Sequence, residues 1–148
     1  MTSDIPLPDV DDERRIQRAH YEYARALDER DWAALDHIFA DNCVARYGDD
    51  APLCGRAAIV AGVRRYLDGC GPTQHMIGNI TVALEEDGLT SRAAVRAAHR
   101  ARDDDRIFWS IAHYSSQWIA TPRGWRARIW RMDVDFNHGD PTVLSPRD

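Results

Sequence analysis

The chain has 148 residues, a formal net charge of -5, 44% hydrophobic residues and 29% charged ones, the balance of one globular domain with room for a core. Acids and bases are interspersed, which argues against nucleic-acid binding. No apolar run is long enough to span a bilayer, and the opening MTSDIPLPDV lacks an apolar signal core, so a cytoplasmic protein is expected.

In chain order, residues 1–10 are expected to be a flexible arm, 11–144 one domain and 145–148 a tail. Asp11 or Asp12 caps a first helix. Ile16, Ala19, His20, Tyr23, Ala24 and Leu27 recur on it at helical spacing and form one buried stripe. Asp28 sits at the edge of that stripe, near the helix end, where the macrodipole disfavours a carboxylate. It is therefore either solvated or held by a partner. Asp31 caps a short second helix, Cys43 to Tyr47 reads as a strand, and Gly48 to Leu53 as a loop. Gly55 opens a third helix that Gly69, Gly71 and Pro72 stop.

Strands follow. Ile80, Val82 and Leu84 alternate. From Arg92 to Arg102 the arginines share one parity, while Ala93, Val95, Ala97, His99 and Ala101 share the other, so His99 looks inward among small neighbours. Ile107 to Ala120 and Trp125 to Phe136 form a hairpin through Thr121–Gly124. Helices followed by four strands joined by short turns predict an α+β domain, a curved antiparallel sheet packed over three N-terminal helices.

The cysteines Cys43, Cys54 and Cys70 are odd in number and have no CxxC spacing. Neither a disulfide framework nor a zinc site is expected. There is no phosphate loop, GxSxG elbow or HExxH. Histidines are the main chemical resource. His20 reads as a core or interface residue and His37 as a surface one. His75 lies in Thr73-Gln74-His75-Met76-Ile77-Gly78-Asn79, entering the sheet. His75 and His99 facing one hollow, with Asp28 from the helix, would make an acid/base set that needs no metal. Two histidines and a carboxylate are also a facial-triad ligand set, but the close HxD or HxE pair usual there is absent, so metal ranks second. His113 and Ser115 share parity with Trp109 and Ile111. They either line the pocket or pack in the sheet.

Tyr23-Ala24-Arg25-Ala26-Leu27-Asp28-Glu29-Arg30-Asp31-Trp32, Gly55-Arg56-Ala57-Ala58-Ile59, the Thr73–Asn79 run and Gly139–Leu144 together resemble the SnoaL-like group of the nuclear-transport-factor-2-like superfamily. The nearest pattern within it is the scytalone dehydratase family. The likeness spans roughly residues 11–144. It implies a cone of bent sheet and helices around a deep pocket. It matches Asp28, His75 and His99 to that family's acid/base residues, and Tyr47 to a tyrosine that holds a water on the substrate carbonyl. The family's second such tyrosine falls at Leu27, which has no hydroxyl. Tyr23 takes an aromatic position of the pattern, and a substrate-touching asparagine falls near Ser115.

The resemblance implies a cofactor-independent dehydratase acting on a hydrophobic, cyclic β-hydroxy carbonyl compound. His75 would be the base, His99 would assist under support from Asp28, and Tyr47 would stabilise the enolate. Tyr23, Leu27, Trp109, His113, Ser115 and Phe136 would touch substrate. No metal, cofactor, nucleic acid or membrane is expected. The chain would form a homodimer or homotrimer, with Trp118, Trp125 and Trp130 either at that contact or in the core. A ketosteroid-isomerase-like or polyketide-cyclase-like enzyme is the alternative. A non-catalytic binding module is a third reading, favoured if Asp28 fails to reach His99. Superfamily fold alone does not decide among them.

Overall fold

The computed structural model describes residues 6–144. Helix α1 spans Val10–Glu29. Its N-cap is Asp9, whose carboxylate accepts from the Asp11 amide at 2.8 Å, two or three residues before the predicted caps. Asp11, Asp12 and Glu13 then suit the positive end of the helix. The predicted stripe is the buried face: Ile16, His20, Tyr23, Ala24 and Leu27 are buried, joined by Ala26. Of the predicted arm, residues 1–5 lie outside the described residues. Pro8 is buried, and the Leu84 amide donates to the Pro6 carbonyl at 3.4 Å, so 6–9 lie against the fold.

The second helix, Trp32–His37, is a 3-10 helix without a side-chain cap, because Asp31 turns to Arg25 instead. Strands β1 (Phe39–Tyr47) and β2 (Leu53–Cys54) precede α2 (Arg56–Leu67). Then come β3 (Cys70–Glu85), β4 (Gly88–Ala101), β5 (Ile107–Thr121) and β6 (Gly124–Gly139). A 3-10 turn at Pro141–Leu144 ends the described chain.

The six strands form one sheet in the order β2-β1-β6-β5-β4-β3. The expectation of an antiparallel sheet needs correction, because β1 runs parallel to β6. The cause is topological. The chain crosses by way of α2 from β1 to the opposite edge, and the β3–β6 meander then returns strand by strand until β6 arrives beside β1. The third helix therefore lies between strands rather than ahead of all of them. β3 also begins at Cys70, so Gly71 and Pro72 belong to the strand instead of to a helix stop. Proline is tolerated there because β3 is an edge strand and its register shifts between Cys70 and Thr73.

On β4 the predicted parity holds. Ala93, Val95, Ala97, His99 and Ala101 are buried, and Arg92, Arg96 and Arg100 are exposed. On β5 the inward parity is Phe108, Ala112, Tyr114, Ser116 and Trp118. Ile59, Val63 and Leu67 of α2 complete the core. No helix among the described residues is long and apolar enough to cross a membrane. Cys43 and Cys70 are buried free thiols, and Cys54 is an exposed one.

Candidate active site

The carboxylate of Asp28, at the last turn of α1, is filled by three donors from β3. Oδ1 lies 2.7 Å from His75 Nδ1 and accepts from Thr73 Oγ1 at 3.0 Å. Oδ2 accepts from the His75 backbone N–H at 2.9 Å. The poor macrodipole position is thus offset by charge-assisted bonds from a neighbouring strand. Since the carboxylate can only accept, His75 carries its hydrogen on Nδ1 and leaves the Nε2 lone pair free.

Register brings the second ring in. Thr73 pairs with His99, and His75 pairs with Ala97. His75 and His99 are therefore diagonal neighbours on the inner face. Their ring centroids lie 5.5 Å apart with planes at 90°. Ala97 and Ala101, both buried, flank His99 on the same face. His99 makes no hydrogen bond to Asp28, although the charge of that carboxylate still favours the ring's protonated form. Its Nδ1 donates to the Phe108 carbonyl at 3.0 Å across the β4–β5 ladder, which again leaves Nε2 free. The expectation that Asp28 holds His99 is thus corrected: the strand next door already supplies that ring with an acceptor. Burial pushes the His99 pKa down to about 4, so it is neutral at pH 7.

Beyond the histidines, the Tyr23 and Tyr47 hydroxyls are 2.7 Å apart. Tyr114 sits edge-on to Tyr23 at 5.6 Å, and Trp130 lies 4.6 Å from Tyr23. Burial raises all three phenols well above their ordinary range, so they are neutral donors. Leu27 is 2% exposed beside them. The hydroxyl missing at Leu27 is thus present on Tyr23, one helical turn earlier and on the same face.

Asp28 borders a hollow of about 390 Å³ whose wall includes Arg30, Asp68, Cys70, Gly71, Pro72 and Arg102. A larger groove of about 1120 Å³ lies against Trp32 and α2; it shares Asp68 and Arg102 with the hollow but reaches none of Asp28, His75, His99, Tyr23 and Tyr47. Of the acid/base set only Asp28 lines the smaller hollow, so the site is assigned on the hydrogen-bonded constellation itself.

Four expected substrate contacts sit elsewhere. His113, Ser115 and Trp109 are on the opposite parity of β5 from Phe108 and Tyr114, and therefore on the outer face with the β4 arginines. His113 is engaged there by Asp135 at 3.2 Å and Asp133 at 3.8 Å. Trp109 is 37% exposed, and Phe136 is 61% exposed. The alternation of β5 was legible, but its facing was assigned the wrong way round. Trp118 and Trp130 are in the core, and Trp125 is half-buried with its indole donating to Asp12 at 3.0 Å. His20 is a core histidine, as expected, 3.0 Å from Ser91 Oγ.

Sequence reasoning missed Thr73, Arg30, Tyr114 and the Phe108 carbonyl. Thr73 carried a usable signal, because it lies two residues before His75 and hence on the same strand face. Nothing in the sequence pointed to the others.

The SnoaL-like domain family matches residues 8–131. The chain belongs to that family. Among solved structures, it is similar to a protein of Novosphingobium aromaticivorans described provisionally as an aromatic ring hydroxylase. The TM-score is 0.84 at 25% identity, covering 94% of this chain and 100% of that one. A second protein of that organism, described provisionally as a scytalone dehydratase, gives a TM-score of 0.79 at 19% identity, covering 90% and 91%. A hexachlorocyclohexane dehydrochlorinase of Novosphingobium barchaimii gives 0.74 at 12% identity, covering 93% and 99%. These last two likenesses are of fold, as is that to a Streptomyces avermitilis protein described provisionally as a dehydratase of the NTF2-like family, with a TM-score of 0.77 at 12% identity, covering 86% and 99%.

Proposed function

We propose that this SnoaL-like protein is a cofactor-independent dehydratase that eliminates water from a cyclic β-hydroxy carbonyl compound. The observation that supports the reading is the 2.7 Å contact between Asp28 and His75 Nδ1, which leaves Nε2 free on a ring whose centroid lies 5.5 Å from that of His99. His75 Nε2 takes the proton next to the carbonyl, breaking the C–H bond. The electron pair moves onto the carbonyl oxygen as an enolate. Asp28 supports the imidazolium so formed, and the hydrogen-bonded pair of neutral hydroxyls, Tyr23 and Tyr47, donates its remaining hydrogen to the enolate, directly or through a water. The enolate then re-forms the carbonyl, the C–O bond breaks, and His75 returns its proton to the leaving hydroxide as water. His99, neutral with Nε2 free, accepts a hydrogen bond from the departing hydroxyl's hydrogen and holds it near His75.

Acid/base help from His75 is worth roughly 10²–10⁴-fold. His75→Ala and Asp28→Asn, assayed on a panel of cyclic β-hydroxy ketones, are expected to lose that much in kcat/KM. Wild-type turnover in both removes the assignment.

The replacement at Leu27 favours a second reading, in which the changed oxygen-binding set serves isomerisation or ring closure by the same base. Product mass separates the two, since only dehydration loses the mass of water. The failure of Asp28 to reach His99 favours a non-catalytic binding module less than expected, because the same carboxylate orients the other ring. The proposal includes self-association of the chain through its outer sheet face, where Trp109 and Phe136 are exposed. A monomer in sedimentation equilibrium at assay concentrations would remove that part alone.

A further inference from the structure

We infer that Arg30 is a positioning residue for the Asp28–His75 pair, acting through Thr73 and the start of β3. Asp28 stands at the end of α1, and His75 stands on β3, so the pair is only as well aligned as those two elements are with one another. Arg30 joins them. Its Nη1 donates to the Leu27 carbonyl at 2.6 Å and to Thr73 Oγ1 at 2.8 Å, and its Nη2 donates to the Gly71 carbonyl at 2.8 Å. One planar guanidinium therefore grips the last turn of the helix and two residues of the strand together.

The direction of the bonds is forced. A guanidinium can only donate, so Thr73 Oγ1 accepts from Arg30 and spends its single hydrogen on Asp28 Oδ1 at 3.0 Å. That same Oδ1 takes the His75 Nδ1 hydrogen at 2.7 Å. The chain of donors thus runs from Arg30 through Thr73 to the carboxylate, where it meets the imidazole. Losing its first member frees Thr73 to rotate and the start of β3 to drift from the helix end.

An ordinary helix cap is the competing explanation, and the backbone speaks against it as the whole account. Arg30 closes α1 at φ 57°, in the left-handed region where glycine is the usual residue and a side chain is strained. A cap alone would be served as well or better by glycine. What arginine adds is the three-way grip. Arg30→Gly therefore relieves the backbone while deleting the relay, which separates the two roles.

The test uses the full-length protein, ¹⁵N-labelled, as wild type, Arg30→Gly and Thr73→Val. Long-range ¹H–¹⁵N spectra are recorded without substrate, at a pH that leaves the His75 ring neutral, with thermal unfolding measured alongside. In wild type His75 is expected as the Nδ1–H tautomer. In both variants the Nε2–H tautomer becomes populated, while the unfolding temperature of Arg30→Gly stays within a few degrees of wild type. An unchanged His75 tautomer in folded Arg30→Gly overturns the proposal. A changed tautomer in Arg30→Gly with none in Thr73→Val overturns the route through Thr73.

Only the kinetic arm rests on the dehydratase reading. There, kcat is expected to fall roughly tenfold to hundredfold in each variant, with KM nearly constant, as for a misplaced reacting group. A wild-type protein without dehydratase turnover would sink that reading and leave the tautomer result to decide the role of Arg30.

Discussion

Tyr23 and Tyr47 present their hydroxyls 2.7 Å apart inside a wall of aromatic rings. Each phenol is neutral and one hydrogen lies between the two oxygens, so the pair offers the other to an oxygen on which negative charge develops. Tyr47→Phe keeps the ring and its packing but removes one of the pair's two hydrogens and the bond between them. Its folding stability is expected to fall by about 1 kcal/mol in urea titrations. Its kcat is expected to fall by roughly tenfold or more, through loss of enolate stabilisation. A Tyr47→Phe enzyme with full kcat would take the phenols out of the chemistry. His75 differs from His99 at this scale in one respect, its partner. A carboxylate holds the Nδ1 of His75, whereas a backbone carbonyl holds that of His99 and dry surroundings keep His99 neutral.

At the scale of elements, the site depends on where the strands end and how closely they approach. Gly139, at the end of β6, adopts φ 101°, and a Cβ there would stand 2.1 Å from the Ile107 carbonyl oxygen. It pairs with Phe108, whose own carbonyl holds His99. Gly139→Ala is therefore expected to cost about 2–3 kcal/mol, from backbone strain and a forced shift of the ladder. Denaturant unfolding checks this, and a loss below about 0.5 kcal/mol would contradict it. The edge position of β3 serves the site in a different way. Its register shifts at Cys70/Thr73 and Gly78/Thr81 bracket His75. Between them the pairing is regular, so Thr73, His75 and Ile77 all face α1.

At the scale of the whole molecule, two histidines are buried where protons are unwelcome. Burial holds both His20 and His99 near pKa 4, against an ordinary 6.5. In the unfolded chain both take a proton as pH falls through 6.5, while the folded protein refuses it until about 4. Stability is therefore complete above pH 6.5 and declines as pH drops from 6.5 toward 4, by up to roughly 3 kcal/mol per ring. Urea midpoints are expected to be markedly lower at pH 5 than at pH 7.5. His20→Asn should flatten that dependence by about half, and an equally steep dependence in the variant would refute the attribution to His20.

Much of this arrangement was present in the chain before folding was considered. The period of the apolar residues located α1 and its buried stripe, the alternation of β4 turned His99 inward, and the run around His75 marked the second ring. Local periodicity suffices for these because each is set by which side of one element meets the core. The facing of β5 was not so determined. Its two parities, Trp109–Ile111–His113 and Phe108–Ala112–Tyr114, are both apolar enough to be the inner one, and only pairing with β4 and β6 decides between them. The same holds for the partner of Asp28 and for the grip of Arg30. Both join residues about 45 positions apart, and their alignment arises where the end of a helix meets the edge of a sheet. The sequence by itself determined which side chains could do the chemistry. The tertiary structure decided which imidazole receives the carboxylate, because hydrogen bonds between distant segments follow from strand register and chain crossing, which no local pattern encodes.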